Sequence, residues 1–268
     1  MNISKRKLII DTDPGHDDAL AILLAFKSNQ FDIQGLTTVA GNSTIENVTR
    51  NAKYILSLLE NVDVPVHSGE GSPLTRELIQ AVVHGESGLD GVDTSNTDFT
   101  MTGDAVDRII EIVKSDPGNV TILALGPLSN IARALIEDPS IAQDGKEIVM
   151  MGGAINVAGN KNRVAEFNMF VDPEAASIVF KSEIKKVLIP LDACNDVVLR
   201  LTDFEELKDT SYYVPIMSMM EKFIEGIGAD EGVQGALVYD AVAAYFLLNP
   251  EAFKIEEMDI VVETEGEY

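Results

Sequence analysis

The chain has 268 residues, and 46% of them are hydrophobic, which is enough for one large domain with a well-buried core. Its formal net charge is −24 at pH 7, because 20 lysines and arginines face 44 aspartates and glutamates. A field of this sign repels phosphate backbones and anionic lipid surfaces, so the composition argues against nucleic acid or a membrane as partner.

The N-terminal stretch does not have the pattern of a targeting segment. Its apolar run before Asp11 is only three residues long, too short for a signal peptide or a membrane span. Cys194 is the single cysteine, so neither an intramolecular disulfide nor a zinc–cysteine cluster can form. We therefore expect a cytoplasmic protein.

Apolar runs rich in β-branched residues alternate with stretches of helical period. The predicted strands are KLIID (7–11), FDIQGLTTVA (31–40), VTILALG (120–126), EIVMMGG (147–153) and KVLIPLD (186–192). Ser43 and Glu46 form a capping-box pattern for the helix after the second strand, and Asp172-Pro173 starts another helix. The alternation predicts an α/β fold, with a mostly parallel open sheet flanked by helices.

Polar and small residues follow the ends of these strands, where open α/β sheets bind ligands. The densest group is DTDPGHDD, which places Asp11, Asp13, Asp17 and Asp18 within eight positions. No lysine or arginine lies between Lys7 and Lys27 to pair with them. Helix capping accounts for one acid of the pair at 17 and 18, but not for those before the turn. A hard divalent cation held by oxygen ligands explains the group better.

Six motifs in this order resemble the inosine-uridine preferring nucleoside hydrolases, from residue 7 to the end. The motifs are DTDPGHDD (11–18), TVAGN (38–42), LGPLSNIARAL (125–135), MGGA (151–154), VAEFNMFVDPEAA (164–176) and VYDAV (238–242). The resemblance implies a nucleoside-hydrolase-like fold of one domain over 1–268, with a helical C-terminal region near the active site. It also implies a homodimer or homotetramer that acts in nucleoside salvage on purine or pyrimidine nucleosides.

The same resemblance implies a calcium ion and assigns roles to individual positions. Ca²⁺ would be bound by Asp13, Asp18, Asp240 and the main-chain carbonyl of Leu125, with Asp11 supporting this site from behind. Asp13 would also activate the attacking water. The sugar-site positions of the family match Asp17, Asn42, Met151, Asn160, Glu166, Phe167 and Asn168.

Tyr239 departs from the family pattern, in which many members carry a histidine before the last metal-binding aspartate. Imidazolium is a better proton donor at neutral pH than a phenol, whose pKa is near 10. Losing a general acid typically costs about 10²- to 10⁴-fold in rate. Either Tyr239 protonates the departing base, or His84 does, or the base needs less help.

The C-terminal part carries further expectations. The glycine-rich segment 223–240 is predicted to be a mobile lid, and the apolar run DIVVE (259–263) a last strand left as an exposed edge. The chain then stops at Tyr268, where relatives continue. Phe223 and three tyrosines, Tyr212, Tyr213 and Tyr245, could stack on a base or belong to the core.

Three functions compete on these residues. The leading hypothesis is a calcium-dependent hydrolase that splits a nucleoside into ribose and free base. The second is a nucleoside- or ribose-binding protein that lost useful catalysis through Tyr239. The third is a magnesium-dependent phosphohydrolase with Asp11 as nucleophile, which the Pro14-Gly15 turn and the later motifs disfavour.

Overall fold

A computed structural model describes residues 5–228 and 235–266. Its centre is a six-stranded sheet whose strands all run parallel. The strands are β1 (Arg6–Thr12), β2 (Phe31–Thr38), β3 (Val66–Ser68), β4 (Val120–Ala124), β5 (Glu147–Met151) and β6 (Lys186–Ile189). A separate antiparallel pair joins β7 (Val198–Leu199) to β8 (Ala236–Leu237).

Helices connect these strands and cover both faces of the sheet. They are α1 (His16–Lys27), α2 (Ile45–Ser57), α3 (Ala105–Ser115), α4 (Ser129–Glu137), α5 (Ile141–Asp144), α6 (Phe167–Val171), α7 (Pro173–Lys181), α8 (Leu191–Cys194), α9 (Tyr213–Gly228) and α10 (Tyr239–Leu248). Two 3₁₀ turns occupy Leu201–Leu207 and Pro250–Ala252. No helix within the described ranges is long and apolar enough to cross a membrane.

The strand β1 shows why the sheet needs both helical layers. Leu8 and Ile10 point into the core shared with α1, α2 and α10, whereas Ile9 points into the core shared with α3, α4 and α7. All three side chains are fully buried. A strand buried on both faces reads as a continuous apolar run, which is what the sequence offers here. The predicted mostly parallel α/β fold is confirmed.

The strand order, β3-β2-β1-β4-β5-β6, reverses direction between β1 and β4. At such a reversal the connections leave toward opposite faces of the sheet, and a crevice opens beyond the carboxyl ends of the two central strands. Asp13 follows β1 and Gly126 follows β4, so the aspartate-rich loop lies at this crevice. The topology therefore fixes where a ligand can bind.

A predicted helix cap and a predicted strand end are wrong by one to three residues. The cap of α2 is Thr44, whose hydroxyl accepts from the amide of Asn47, and not Ser43. The β6 strand ends at Ile189, and Asp192 lies in α8, where its carboxylate accepts from two amides of the loop after β5. The cap predicted at Asp172 is confirmed, since its carboxylate accepts from the amide of Ala175.

Two larger differences concern strands. The short strand β3 was not predicted, because three residues carry too weak a pattern. Residues 259–263 form no strand, and Val261 is 89% exposed. An apolar β-branched run becomes a strand only when another strand pairs with it, and the described residues offer none. The predicted lid overlaps residues 229–234, which lie outside the described residues, so its mobility stays a prediction.

Candidate active site

The loop from β1 to α1 places four buried aspartates at the crevice. Asp11 lies in β1 and Asp13 directly after it, the Pro14-Gly15 turn reverses the chain, and Asp17 and Asp18 occupy the first turn of α1. Asp18 also caps this helix, because one of its carboxylate oxygens accepts from the Gly15 amide at 2.9 Å. Negative side chains are favoured at this end of a helix.

Asp13 lies in a space that two glycines leave open. A Cβ at Gly41 would lie 2.2 Å from Asp13 Oδ2, and one at Gly126 would lie 2.5 Å from Oδ1. The amide of Asn42 donates to Oδ2 at 2.7 Å, whereas Oδ1 is buried without a hydrogen-bond partner among the described residues. Because buried polar oxygens are nearly always paired, this atom is where a water or a cation is expected.

The carboxylates of Asp17, Asp18 and Asp240 offer oxygens that all lie within 4.8 Å of one another. We refer to these three and Asp13 as the carboxylate cluster. Burial, followed by the charge of Asp18, raises the pKa of Asp17 to about 7 and raises the pKa of both Asp13 and Asp240 well above its usual value. No lysine or arginine in the described part of the chain pairs with these acids.

This arrangement suits a hard divalent cation, which carboxylate oxygens bind and whose charge removes the penalty of burying several acids together. This group of three includes Asp17 and not Asp13, which the sequence predicted as a ligand, and the Asp240 amide also lies 3.4 Å from Asp17 Oδ2. Leu125, whose carbonyl is a predicted ligand, lines the cavity, and this carbonyl accepts from Asn168 Nδ2 at 2.6 Å. A carbonyl oxygen has a second lone pair, so this bond leaves room for a cation.

Asp11 lies in β1 behind the carboxylate cluster, and its support of a metal site stays a prediction. Its Oδ1 accepts from the Thr37 hydroxyl at 2.5 Å and from Asn130 Nδ2 at 2.8 Å, while Oδ2 has no partner among the described residues. Burial raises the pKa of Asp11 to about 6. Asn130 also donates to the Thr38 carbonyl, so this network joins β1, β2 and α4. The presence of Asn130 in the third motif was the available signal.

The predicted sugar-binding residues are fixed by main-chain hydrogen bonds. Glu166 caps α6, with Oε1 accepting from the Asn168 amide at 2.8 Å and Oε2 from the Gly153 amide at 2.9 Å. Asn168 Nδ2 also donates to the Met151 carbonyl at 3.3 Å, and Asn160 Oδ1 accepts from the Phe167 amide at 2.9 Å. Residues so restrained can present oxygens and amides to a ligand without first losing rotamer freedom.

A cavity of about 290 Å³ brings these groups together. It is lined by all the predicted site residues except Asp13 and Asp18, namely Asp17, Asn42, His84, Leu125, Met151, Asn160, Glu166, Phe167, Asn168, Tyr239 and Asp240. Sequence reasoning missed five further lining residues, Ala81, Val82, Val83, Lys161 and Leu237. They belong to connections between elements or to the two-residue strand β8, which have no periodic pattern to reveal them.

Three aromatic side chains line the cavity, His84, Phe223 and Tyr239, and we refer to them as the aromatic wall. The ring of His84 stacks on Phe223 with centroids 5.2 Å apart, and it lies edge to edge with the nearly parallel ring of His16, whose centroid is 5.3 Å away. Burial, and then the neighbouring His16, lowers the pKa of His84 to about 3. Of the aromatic residues predicted to stack on a base or belong to the core, Phe223 lines the cavity, whereas Tyr245 is partly exposed on α10.

A family model described as inosine-uridine preferring nucleoside hydrolase matches residues 8–268. The chain belongs to this family. Family membership confirms the predicted enzyme class, a hydrolase of the N-glycosyl bond of ribonucleosides that yields ribose and free base. The phosphohydrolase reading is thereby removed.

Individual nucleoside hydrolases agree with this assignment over most of their length. The pyrimidine-specific ribonucleoside hydrolase RihA of Salmonella paratyphi C is 40% identical over 97% of this chain and 85% of its own. The purine-preferring ribonucleoside hydrolase of Gardnerella vaginalis superimposes with a TM-score of 0.90 at 30% identity, over 98% of this chain and 86% of its own. The plant enzyme PpNRh1 superimposes with a TM-score of 0.87 at 33% identity, over 92% of this chain and 80% of its own. These relatives carry the names of hydrolases, so the alternative of an inactive binding protein finds no support.

Proposed function

We propose that this cavity hydrolyses pyrimidine ribonucleosides, with Asp13 removing a proton from the attacking water. The observation that carries the proposal is the state of the Asp13 carboxylate. One oxygen is held by the Asn42 amide at 2.7 Å, and the other is buried without a partner among the described residues. A carboxylate oriented at one oxygen and open at the other can accept a proton from a water placed beside it.

Calcium is the cation we propose, because every donor in the site is a carboxylate or carbonyl oxygen. Asp13, Asp18, Asp240 and the Leu125 carbonyl would hold it, and the position of Asp17 makes this residue a further candidate. Bound there, a divalent cation supplies positive charge that acidifies a nearby water.

The sugar is proposed to lie against Asp17, Asn42, Asn160, Glu166 and Asn168. Breaking an N-ribosidic bond passes through a state with positive charge on the ribosyl ring, as in other glycoside hydrolyses. The buried Glu166 and Asp17 carboxylates line the cavity and favour that charge electrostatically. Binding energy from the hydroxyl groups can orient the ring for attack.

Tyr239 is the proposed donor of the proton to the departing base. It lines the cavity at the start of α10, next to Asp240. A phenol carries its proton at neutral pH, although it is a weak acid. The pKa of His84, at about 3, leaves the second predicted donor neutral and without a proton of imidazolium acidity to give.

A preference for pyrimidines is supported by identity. Several relatives named as pyrimidine-specific are about 40% identical to this chain over 97% of its length. We further propose a cytoplasmic enzyme of nucleoside salvage that forms a homodimer or homotetramer. A single domain over 1–268 fits the one six-stranded sheet with helices on both faces. The charge of −24 opposes binding to nucleic acid.

Ribose release from purine and pyrimidine nucleosides tests the proposal, with added calcium and after chelation. We expect calcium-dependent release, fastest for uridine or cytidine, that disappears in Asp13→Asn. The control Asp32→Asn changes an exposed acid at the opposite end of the sheet and should behave like the wild type. Release that survives in Asp13→Asn would contradict the role of Asp13, and faster release from inosine would contradict the base preference.

A further inference from the structure

The two buried histidines beside the cavity form a direct contact that the mechanism above does not use. His16 is fully buried at the start of α1, and its Nδ1 lies 3.0 Å from Nδ1 of His84. The other nitrogen of His16, Nε2, lies 2.8 Å from the main-chain carbonyl of Asp90. The His16 ring also stacks almost parallel on Phe223, at 4.9 Å and 7°.

These contacts determine where the protons lie. A carbonyl oxygen only accepts, so Nε2 of His16 must carry the hydrogen. A neutral imidazole carries one hydrogen, which leaves Nδ1 of His16 as an acceptor. The 3.0 Å contact is then a hydrogen bond only if Nδ1 of His84 is the donor. Nε2 of His84 is consequently left with a lone pair.

One contact favours the opposite arrangement. The main-chain amide of His16 lies 3.3 Å from Nδ1 of His84 and would donate to it if that nitrogen were bare. This contact is longer, and choosing it would bring two lone pairs face to face at 3.0 Å. The ring-to-ring bond is therefore the stronger determinant, and the His16 amide, a first-turn amide with no acceptor within the helix, then has no acceptor in His84.

The free nitrogen of His84 is available to a ligand. His84 lines the cavity, and its Nε2 has no hydrogen-bond partner among the described residues, nor is it one of the buried unpaired atoms. We propose that His16 is a positioning residue that holds His84 in the Nδ1–H tautomer, so that Nε2 accepts a hydrogen bond from an N–H group of the nucleobase. The part about the base rests on the proposed function.

In this arrangement His84 recognises the nucleobase instead of protonating it. Uracil offers its ring N3–H and cytosine its exocyclic amino group as donors, and a bare ring nitrogen accepts from either. A protein that discriminates by hydrogen bonding pays when the partner is absent, because its own buried group is left unpaired. The low pKa of His84 agrees with a neutral acceptor.

Nitrogen-15 NMR of histidine-labelled, calcium-loaded protein tests the tautomer directly, since the chain has three histidines. His67 contacts Asp104 away from the cavity, so His67→Gln simplifies the spectrum without touching the pair. We expect one ring protonated at Nδ1 and one at Nε2 in that variant. Adding His84→Gln to that variant leaves only His16, whose tautomer is fixed by the Asp90 carbonyl, and so assigns the signals. Two rings in the same tautomer, or His84 protonated at Nε2, would overturn the inference.

Two substitutions of His16 then separate positioning from packing. Asparagine keeps an oxygen acceptor near the place of Nδ1, whereas phenylalanine keeps the stacked ring and removes the acceptor. We expect His16→Phe to raise KM for uridine about 10-fold, with less effect on kcat, and to populate the Nε2–H tautomer of His84. His16→Asn should restore the Nδ1–H tautomer and most of the KM. Equal KM values in both variants, whatever their stability, would contradict the role.

Uridine added to Asp13→Asn protein provides a measurement without turnover. Its binding should shift the Nε2 resonance of His84 and leave the His67 signals in place. Binding without that shift would refute the contact to the base, even if the tautomers are as expected. Conversely, a wild type that shows the expected tautomers but releases no ribose would refute the proposed function and leave the positioning role standing.

Discussion

The carboxylate cluster and the aromatic wall lie on the same cavity but are held in different ways. The cluster sits on strand ends and on the first turns of helices, and main-chain amides hold Asp13 and Asp18. The wall takes His84 from the connection between β3 and α3, Phe223 from α9 and Tyr239 from α10. The rings of His84 and Phe223 stack on each other.

This difference separates two tasks. Main-chain hydrogen bonds at the ends of parallel strands fix positions as rigidly as the sheet itself, which suits chemistry that tolerates little displacement. Stacked rings from separate segments can differ among relatives without disturbing the sheet, which suits the choice of base. The cluster should therefore control whether the reaction occurs, and the wall should control how fast and on which base.

The largest expected effect is that of Asp13→Asn in the cluster. The amide side chain cannot take a proton from water, so we expect ribose release to fall by about 10²- to 10⁴-fold. The fold should survive, because the Asn42 amide can donate to the new carbonyl oxygen as it does to Oδ2. Steady-state kinetics and thermal unfolding measure the two properties. A loss below tenfold would place the essential base elsewhere.

Removing the divalent cation should affect both activity and stability. A ligand at 100 times its Kd stabilises the folded state by about 2.7 kcal/mol, which corresponds to roughly 5–10 °C in Tm for a chain of this size. We expect chelation to abolish ribose release and calcium to restore both properties. Asp240→Asn should weaken the response of Tm to calcium, whereas the exposed Asp32→Asn should leave it intact. A Tm independent of calcium would contradict a cation in the cluster.

Tyr239→Phe tests the wall and should have a smaller effect. Without the phenolic proton we expect kcat for uridine to fall about 10²-fold, at the low end for general acid catalysis because a phenol is a weak acid. A riboside whose leaving group is nitrophenolate needs no protonation, so its hydrolysis should hardly change. Equal losses on both substrates would mean that Tyr239 positions the substrate instead of donating a proton.

Tyr245→Phe is the matched control for that experiment. This residue lies on the same helix α10, is 43% exposed, and uses its hydroxyl to accept from Asn249 at 3.0 Å. It does not line the cavity. Loss of the Tyr245 hydroxyl should leave ribose release from uridine unchanged. An effect seen only in Tyr239→Phe would then come from the hydroxyl that lines the cavity.

The same contrast explains what the sequence could reveal. The aspartates of DTDPGHDD lie within eight positions, follow a strand and lack nearby cations, so a site for a divalent cation could be predicted from them. Asp240 could be assigned to the site only through the family resemblance, because its neighbour Asp17 is more than two hundred residues away in the chain. The fold followed from apolar runs buried on both faces, whereas the offset between Ser43 and Thr44 shows how little a pattern says about boundaries.

The wall could not be predicted in this way. His16 and His84 are 68 positions apart, and the connection that carries His84 has no periodic pattern. Sequence reasoning placed His84 at the cavity through the resemblance, but not its contact with His16. The prediction of a strand at 259–263 was wrong for the opposite reason. The apolar pattern is strong there, but no strand among the described residues pairs with it.

The smallest effect at neutral pH is expected for the titration of His84, which acts on stability only as the pH falls. Burial lowers the pKa of His84 to about 3, while an unfolded chain binds that proton near pH 6.5. Between these values the unfolded state holds more protons, so stability is present above about pH 6.5 and is lost as the pH falls toward 3. The loss is at most about 1.4 kcal/mol per pH unit for one group.

His84→Gln removes this titration, so the free energy of unfolding should depend less steeply on pH between 6 and 4 than in the wild type. Chemical denaturation at several pH values measures the slope, and only its difference between proteins matters, because the 44 acids contribute to both. Identical slopes for His84→Gln and the wild type would mean that His84 is protonated in the folded protein. The wall would then hold a charge, and His84 would regain the role of proton donor that its burial argues against.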